Sequence, residues 1–456
     1  MLFQFASRTS SFLIKVHDNP LRRNRQIARH SYSVKHNKDV DMGKDGSKNE
    51  DKETQIDRRL RDFFSTTEQF TVVEKVMESF LGKNNEEEKN PDSIPENVLP
   101  ILTRCNNDDD GFINGDDEDD WSKLFDPLFS TTHIINSSVD NLNSLVKHTD
   151  LKDKSNQKRR GQSFKITVAY KGSSYCGWQI QPSNEIPSVQ QTLINILDPI
   201  LGNNNDVEAK KKPIDIRVCG RTDAGVSAIA QVCRVRTLRS SNEITSIGIQ
   251  NRINDDMLLT GIGNKNSLDG KNLFCTSVQK VGDKFHPTFG AQNRAYAYII
   301  DSIELGELIN SIPDASNNVS VEKVVFILNK MARRVEGLEL DYKGLSFGKV
   351  KTSTTLCTIL RARVSQISLN NHEDSLIQEA ICFEFVGNRF LRRMIRIMVS
   401  TLLNLTMQCL VEENNEEEVF EDLFLTLIQE CDRKMSSKPA ASDGLIFVGA
   451  TFDEDH

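Results

Sequence analysis

A short run near the middle of the chain, Cys219-Gly220-Arg221-Thr222-Asp223-Ala224-Gly225, sets a carboxylate two residues from a guanidinium between two glycines. Glycine lets the backbone turn tightly, so the run predicts Asp223 presented at the end of a β segment spanning residues 214–218. An ionised carboxylate held this way can act as nucleophile or base. By composition alone the same run is also a tight turn with a surface ion pair. Tyr296 and Tyr298, two apart on an alternating segment, fall on one face of a strand, as core or as pocket. Phe390, Met394, Ile397, Thr401 and Leu405 form an apolar helical stripe, with Arg389, Arg392 and Arg396 along an adjoining one, so a helix is predicted over 390–405. A different chemistry is possible in the acidic run. With Asn106 as position one, Asp108 stands at three, Asp110 at five, Gly111 at six, Phe112 at seven, Asn114 at nine and Asp117 at twelve. That is the oxygen-ligand spacing of a calcium loop. It is degenerate, because position one is Asn and Asp117 is one carbon shorter than the usual Glu; a solvated acidic loop is the alternative.

Several elements must position these residues. Phe164, Ile166, Val168 and Tyr170 alternate with Lys165, Thr167 and Ala169, the period of a strand. Lys171, Gly172 and Ser173 make a turn. Ser188 followed by Gln191 is a capping box, and Val189, Leu193, Ile196, Leu197 and Ile200 share one helical face. Further toward the N-terminus, Phe70, Val73, Val76, Met77 and Phe80 predict one amphipathic helix between two polar stretches, 40–59 and 83–96, that read as solvated linker. The chain has 456 residues with 57 Lys+Arg against 65 Asp+Glu, a formal net charge of −8. The eight acids between Asp108 and Asp120 account for all of it, so a basic surface remains open elsewhere. No window approaches the roughly 18 consecutive apolar residues of a membrane helix, and a soluble protein with no membrane partner is expected. Nine scattered cysteines, none in a CxxC pair, predict reduced and mostly buried thiols.

The run Gly220-Arg221-Thr222-Asp223-Ala224-Gly225-Val226-Ser227-Ala228 resembles the signature of the TruA family of tRNA pseudouridine synthases. Four further stretches match in the family's order. Tyr170-Lys171-Gly172-Ser173-Ser174-Tyr175-Cys176-Gly177-Trp178-Gln179 is similar to Y-D-G-x-x-Y-x-G-W-Q. Phe285-His286-Pro287-Thr288-Phe289 and Arg294-Ala295-Tyr296-Ala297-Tyr298 are similar to F-H-A-R-F and R-x-Y-x-Y. Gly387 to Arg396 is similar to G-x-x-F-x-x-x-M-V-R, and Pro439-Ala440 with Gly444-Leu445 to P-A-x-x-G-L. The resemblance implies an α+β pseudouridine synthase fold, with two lobes of antiparallel sheet and helices around a central catalytic cleft. It implies isomerisation of uridine in the tRNA anticodon arm without a cofactor, and a homodimer on tRNA. Asp223 becomes the catalytic residue, Arg396 its partner and Tyr296 the aromatic of the pocket. An adjacent guanidinium favours the ionised form of a carboxylate. Arg221, Leu445, Arg389 and Arg392 become substrate-binding residues, the outer arginines through phosphates, and His286 a structural marker. The motifs depart at Lys171, Pro287, Thr288, Ala295 and Ala297, and the two alanines are expected to thin the positive charge near the cleft.

The resulting division is an organelle transit peptide over 1–36, basic, Ser-containing and acid-poor. A largely disordered acidic extension follows over 37–160, then catalytic lobes at 161–285 and 286–456 with a boundary near 282–293. Mitochondrion is the first expectation for location, with plastid or cytoplasm as alternatives. The rival function is a non-catalytic tRNA-binding or tRNA-remodelling protein.

Overall fold

In the computed structural model of the chain, residues 55–66, 70–82, 102–104, 121–129, 161–181, 185–202, 214–238, 244–260, 272–312, 319–349, 352–370, 377–411 and 420–452 are described. The expected leader, the 83–96 linker, the calcium-type loop from Asn106 to Asp117 and Cys105 lie outside them. The chain opens with α1 (Gln55–Phe63), α2 (Thr71–Gly82) and β1 (Leu102–Arg104), then a 3-10 turn, Ser122–Phe125, that runs into one turn of helix, Asp126–Phe129. Next come β2 (Gln162–Tyr170), α3 (Val189–Leu201), β3 (Asp215–Val218), β4 (Ser227–Thr237), α4 (Ser246–Thr260) and β5 (Leu273–Val281). The second half contains β6 (Ala291–Asp301), α5 (Ser302–Asn310), α6 (Val321–Arg333), β7 (Glu339–Asp341), β8 (Leu356–Asn370), β9 (Ile377–Gly387), α7 (Met394–Val411), α8 (Leu423–Glu430) and β10 (Leu445–Phe452).

The strands form one α+β sheet in the order β1-β8-β9-β6-β10-β4-β2-β5, with β3 on β4 and β7 on β8. The ladders between these strands are antiparallel except that of β10 on β4, where Ile446 faces Ser227 and Phe447 faces Ala228. The last strand is therefore inserted between the halves and brings residues 439–445 against the loop that carries Asp223.

Alternation gives the sheet two different faces. On β6, Tyr296, Tyr298 and Ile300 join the core under helices α3 to α8, while Ala295, Ala297 and Ile299 join a second core on the back. The 37–160 stretch supplies the cover for that back. Val72, Val73, Val76, Met77 and Leu81 of α2 are buried there, together with Leu102, Phe125 and Leu128. Fully burying such a side chain is worth roughly 1.5–3 kcal/mol, so several together hold this cover against the sheet. Two polar anchors hold the cover. Arg104 Nη2 sits 2.9 Å from Glu384 Oε1, with Arg361 Nη2 2.8 Å from the other oxygen, and Lys171 reaches Glu74 and Glu78 of α2. On the helical side α1 packs on α7, where Asn404 Nδ2 donates to Asp57 Oδ1 at 2.7 Å. The stretch expected to be largely disordered thus contains folded elements, and α1 begins inside residues read as linker, because Ile56, Leu60 and Phe63 find apolar partners.

The helix predicted over 390–405 starts later, at Met394. Arg393 is left-handed at φ 57°, which breaks the run, so Arg389, Arg392 and Arg396 do not share one helical stripe. Among the described residues α7 is the one helix long and apolar enough to cross a membrane, yet it is mostly buried inside the protein. Seven of the eight described cysteines are buried.

Candidate active site

β3 feeds directly into the Asp223 loop, and each turn of that loop is tied to a neighbour. Cys219 N donates to Val232 O at 2.8 Å and Gln231 Nε2 to Gly220 O at 2.8 Å. The Tyr170 and Thr222 hydroxyls share a 2.8 Å hydrogen bond, and Trp178 N donates to Thr222 O at 3.1 Å. Past the carboxylate, Val226 N donates to Asp223 O at 3.3 Å and Gly172 N to Ser227 Oγ at 2.9 Å. The Tyr170–Gln179 motif is therefore a cradle for the loop. It needs glycine at two points: a Cβ on Gly172 would run into the Gly225 and Val226 backbone, and Gly177, at φ 103°, would place one 2.9 Å from Thr222 O. Burial pushes the Tyr170 hydroxyl up to about 12, so it stays a neutral bridge.

Asp223, with its side chain 34% exposed, meets two guanidiniums at one oxygen. Arg396 Nη1 donates to Oδ2 at 3.2 Å, and Arg393 Nε lies 3.4 Å from the same atom as an ion pair without hydrogen-bond geometry. Arg396 is held by the closing motif: its Nε donates to Ala440 O at 2.7 Å, while Ala440 N donates to Arg396 O at 3.0 Å. Burial pulls the Arg396 guanidinium below its ordinary value and the Asp223 charge acts the other way. Arg393 spreads its guanidinium over Phe347, 4.1 Å from the ring centroid.

Tyr296 is buried on the same side, with Phe390 and Phe447 edge-on to its ring at 5.0–5.2 Å. Burial first, then the Cys219 thiol, pushes its phenol well up, so it is neutral near pH 7. Leu445 is buried at the start of β10, opposite Tyr298. Tyr298 is interior, its hydroxyl donating to Ala441 O at 3.0 Å. His286 Nδ1 accepts from Thr288 N and Phe289 N at 3.2–3.3 Å, a turn-closing role. Arg221 and Arg392 are exposed and Arg389 half-buried. The structure therefore brings Asp223 and Arg396 together with Tyr296 nearby and sets Leu445 opposite Tyr298, and the ion partners of Asp223 are Arg396 and Arg393 rather than Arg221.

Two residues escaped sequence reasoning. Arg393 was hidden among four arginines by the helix expected there. Arg294, nearly buried, donates to Asn388 O at 2.8 Å and to Thr288 O at 2.6 Å, which pins together two of the loops around the site; alternation with Tyr296 was the available signal. A third expectation is corrected. Ala295 and Ala297 do not thin the charge of the cleft, because strand alternation turns both to the back of the sheet under α2. Among the described residues no group of three or more His, Cys, Asp or Glu is arranged to hold a metal ion.

A large, mostly antiparallel sheet with helices packed on it is consistent with a pseudouridine synthase fold. The sequence profile of a family described as tRNA pseudouridine synthase matches residues 339–453. The chain is 27% identical over 286 residues to tRNA pseudouridine synthase A 2 of Protochlamydia amoebophila, which covers 62% of this chain and 92% of the relative. It is 27% identical over 299 residues to tRNA pseudouridine synthase A of Ligilactobacillus salivarius (64% and 98% covered), and 26% over 297 residues to that of Francisella philomiragia (64% and 95%). These likenesses support the TruA family of tRNA pseudouridine synthases for this chain.

Proposed function

We propose that this chain isomerises uridine to pseudouridine in the anticodon arm of tRNA, with Asp223 as the catalytic carboxylate and no cofactor. The observation that carries this reading is the 3.2 Å contact of Asp223 Oδ2 with Arg396 Nη1 beside buried Tyr296. Three distant stretches of sequence converge there. The reaction breaks the bond from N1 to C1′, turns the base over, joins C5 to C1′ and moves one proton from C5 to N1. No electrons or external groups are exchanged. A fixed carboxylate supplies the nucleophile or base that such a rearrangement needs, and the two guanidiniums orient it. Tyr296, protonated at rest, offers a ring for the extruded base and a hydroxyl within the pocket. Arg221, exposed two residues before Asp223, would engage a nucleotide leaving its stack. The basic, acid-poor residues 1–36 support an organelle, mitochondrion first, as the place of action. A homodimer on tRNA would use a surface other than the back of the sheet, which α2 covers together with Leu102, Phe125 and Leu128.

The test compares the full chain with its Asp223→Asn variant on a panel of tRNA transcripts, reading pseudouridine directly. Conversion by the native chain, falling about a thousandfold or more in the variant, is the expected result. If both bind tRNA and neither converts any uridine, the protein is a tRNA-binding or remodelling factor instead.

A further inference from the structure

Of the five residues that depart from the family motifs, Pro287 and Thr288 lie in the His286 turn and the other three share one neighbour. Lys171, Ala295 and Ala297 all meet one element, α2. The alanines are fully buried on the back of the sheet, in the same apolar cluster as Val72, Val73, Val76 and Met77. Lys171 Nζ lies 2.5 Å from Glu74 Oε2 and 2.8 Å from Glu78 Oε1, one turn apart on α2. Single exposed ion pairs are weak, but here two carboxylates converge on one ammonium whose side chain is only 19% exposed. Burial alone would depress that ammonium; the hydrogen bonds and charges of Glu74 and Glu78 outweigh it and hold it above its ordinary value.

What Lys171 is joined to gives the contact its meaning. Its own backbone is fixed by Lys171 N donating to Asn272 O at 3.0 Å. The residue before it, Tyr170, bonds Thr222, and the residue after it, Gly172, bonds Ser227 and lies against Gly225 and Val226. The two neighbours of Lys171 thus brace the loop on both sides of Asp223. We propose that α2 is a positioning element of the active site, holding the Asp223 loop in register through the clasp of Glu74 and Glu78 on Lys171. The inference rests on the proposed synthase activity for its kinetic readout. Its structural readout does not.

The experiment uses the full chain and three forms: native, Lys171→Glu, and Lys171→Glu combined with Glu74→Lys and Glu78→Lys. The single variant sets a third acid against two others, turning attraction into repulsion, and the combined variant restores opposite charges. Loss of register at a reacting group can lower turnover by up to about a hundredfold. The expected result is therefore kcat about tenfold down at unchanged KM in the single variant, with native-like kcat in the combined one. Amide hydrogen exchange over residues 222–227 should rise about tenfold in the single variant and return in the combined variant. Exchange and kcat that do not move in Lys171→Glu overturn the proposal, as does a combined variant that is folded by thermal unfolding yet no better than the single one. Should the native chain fail to convert uridine, the synthase reading falls, and the exchange measurement alone still decides the clasp.

Discussion

Arg393 holds two conditions at once: a guanidinium 3.4 Å from Asp223 and a backbone at φ 57°, where a residue with a Cβ is strained. Such strain amounts to about 1–3 kcal/mol and persists where the surroundings enforce it. Here the Phe347 ring beneath the guanidinium and the bond from Ile397 N to Arg393 O, 3.1 Å, do so. Replacing Arg393 with Gly removes the strain and the charge together. The expected outcome is a melting temperature unchanged or raised by a few degrees with a kcat lowered about tenfold, the usual opposition of stability and activity at a strained site. Thermal unfolding and single-turnover kinetics on the same preparation check it; a variant that is both less stable and fully active would show that Arg393 serves packing alone. The turn that presents Asp223 was legible in the sequence because glycines stand on each side of it, whereas the role of its carboxylate came from the family resemblance alone. Arg393 was not, because periodicity treats every residue of a helical run alike and carries no sign of the one that turns left-handed.

Helix α2 joins the residue scale to the sheet. Its amphipathic spacing is plain in the sequence, as is the alternation of Phe164, Ile166, Val168 and Tyr170 in β2. Both patterns record how many faces a segment buries. Neither records against what, so the docking of α2 on the back of β6, β2 and β4 emerges only from the fold. The α3 cap shows the same limit at shorter range: Ser188 Oγ accepts from Gln191 N at 3.1 Å, but Gln191 Nε2 turns to Asn195 Oδ1 at 2.8 Å instead of closing the box. Because Met77 is fully buried between α2 and the sheet, Met77→Ala opens a cavity in that layer. The expected loss is about 2–5 kcal/mol, read as a lower denaturation midpoint with unchanged slope. A midpoint equal to that of the native chain would mean that α2 leaves the sheet in solution, and the Lys171 clasp would be lost with it.

The whole molecule is acidic by −8, yet its proposed partner is a polyanion, so charge placement rather than charge total must decide binding. The acids that set the total lie between Asp108 and Asp120, far in sequence from the cleft. Around the site stand Arg221 and Arg392, both exposed, and half-buried Arg389. Arg389 and Arg392 flank Phe390, whose ring packs on Tyr296, so on the proposed reading both are candidates to meet the RNA backbone. Contacts to phosphate release counterions, and log affinity falls with log salt by about 0.7–0.9 per phosphate neutralised. Replacing Arg389 and Arg392 together with Ala should therefore make that slope shallower by about 1.5 and weaken all tRNA transcripts by the same factor. Turnover at saturating RNA should hold, since neither side chain contacts Asp223. Filter binding across a salt series, with the Asp223→Asn chain as a non-reacting host, measures the slope directly. A slope that does not move would place the RNA backbone elsewhere, whereas a loss confined to some transcripts would make these arginines readers of RNA shape or sequence rather than of charge.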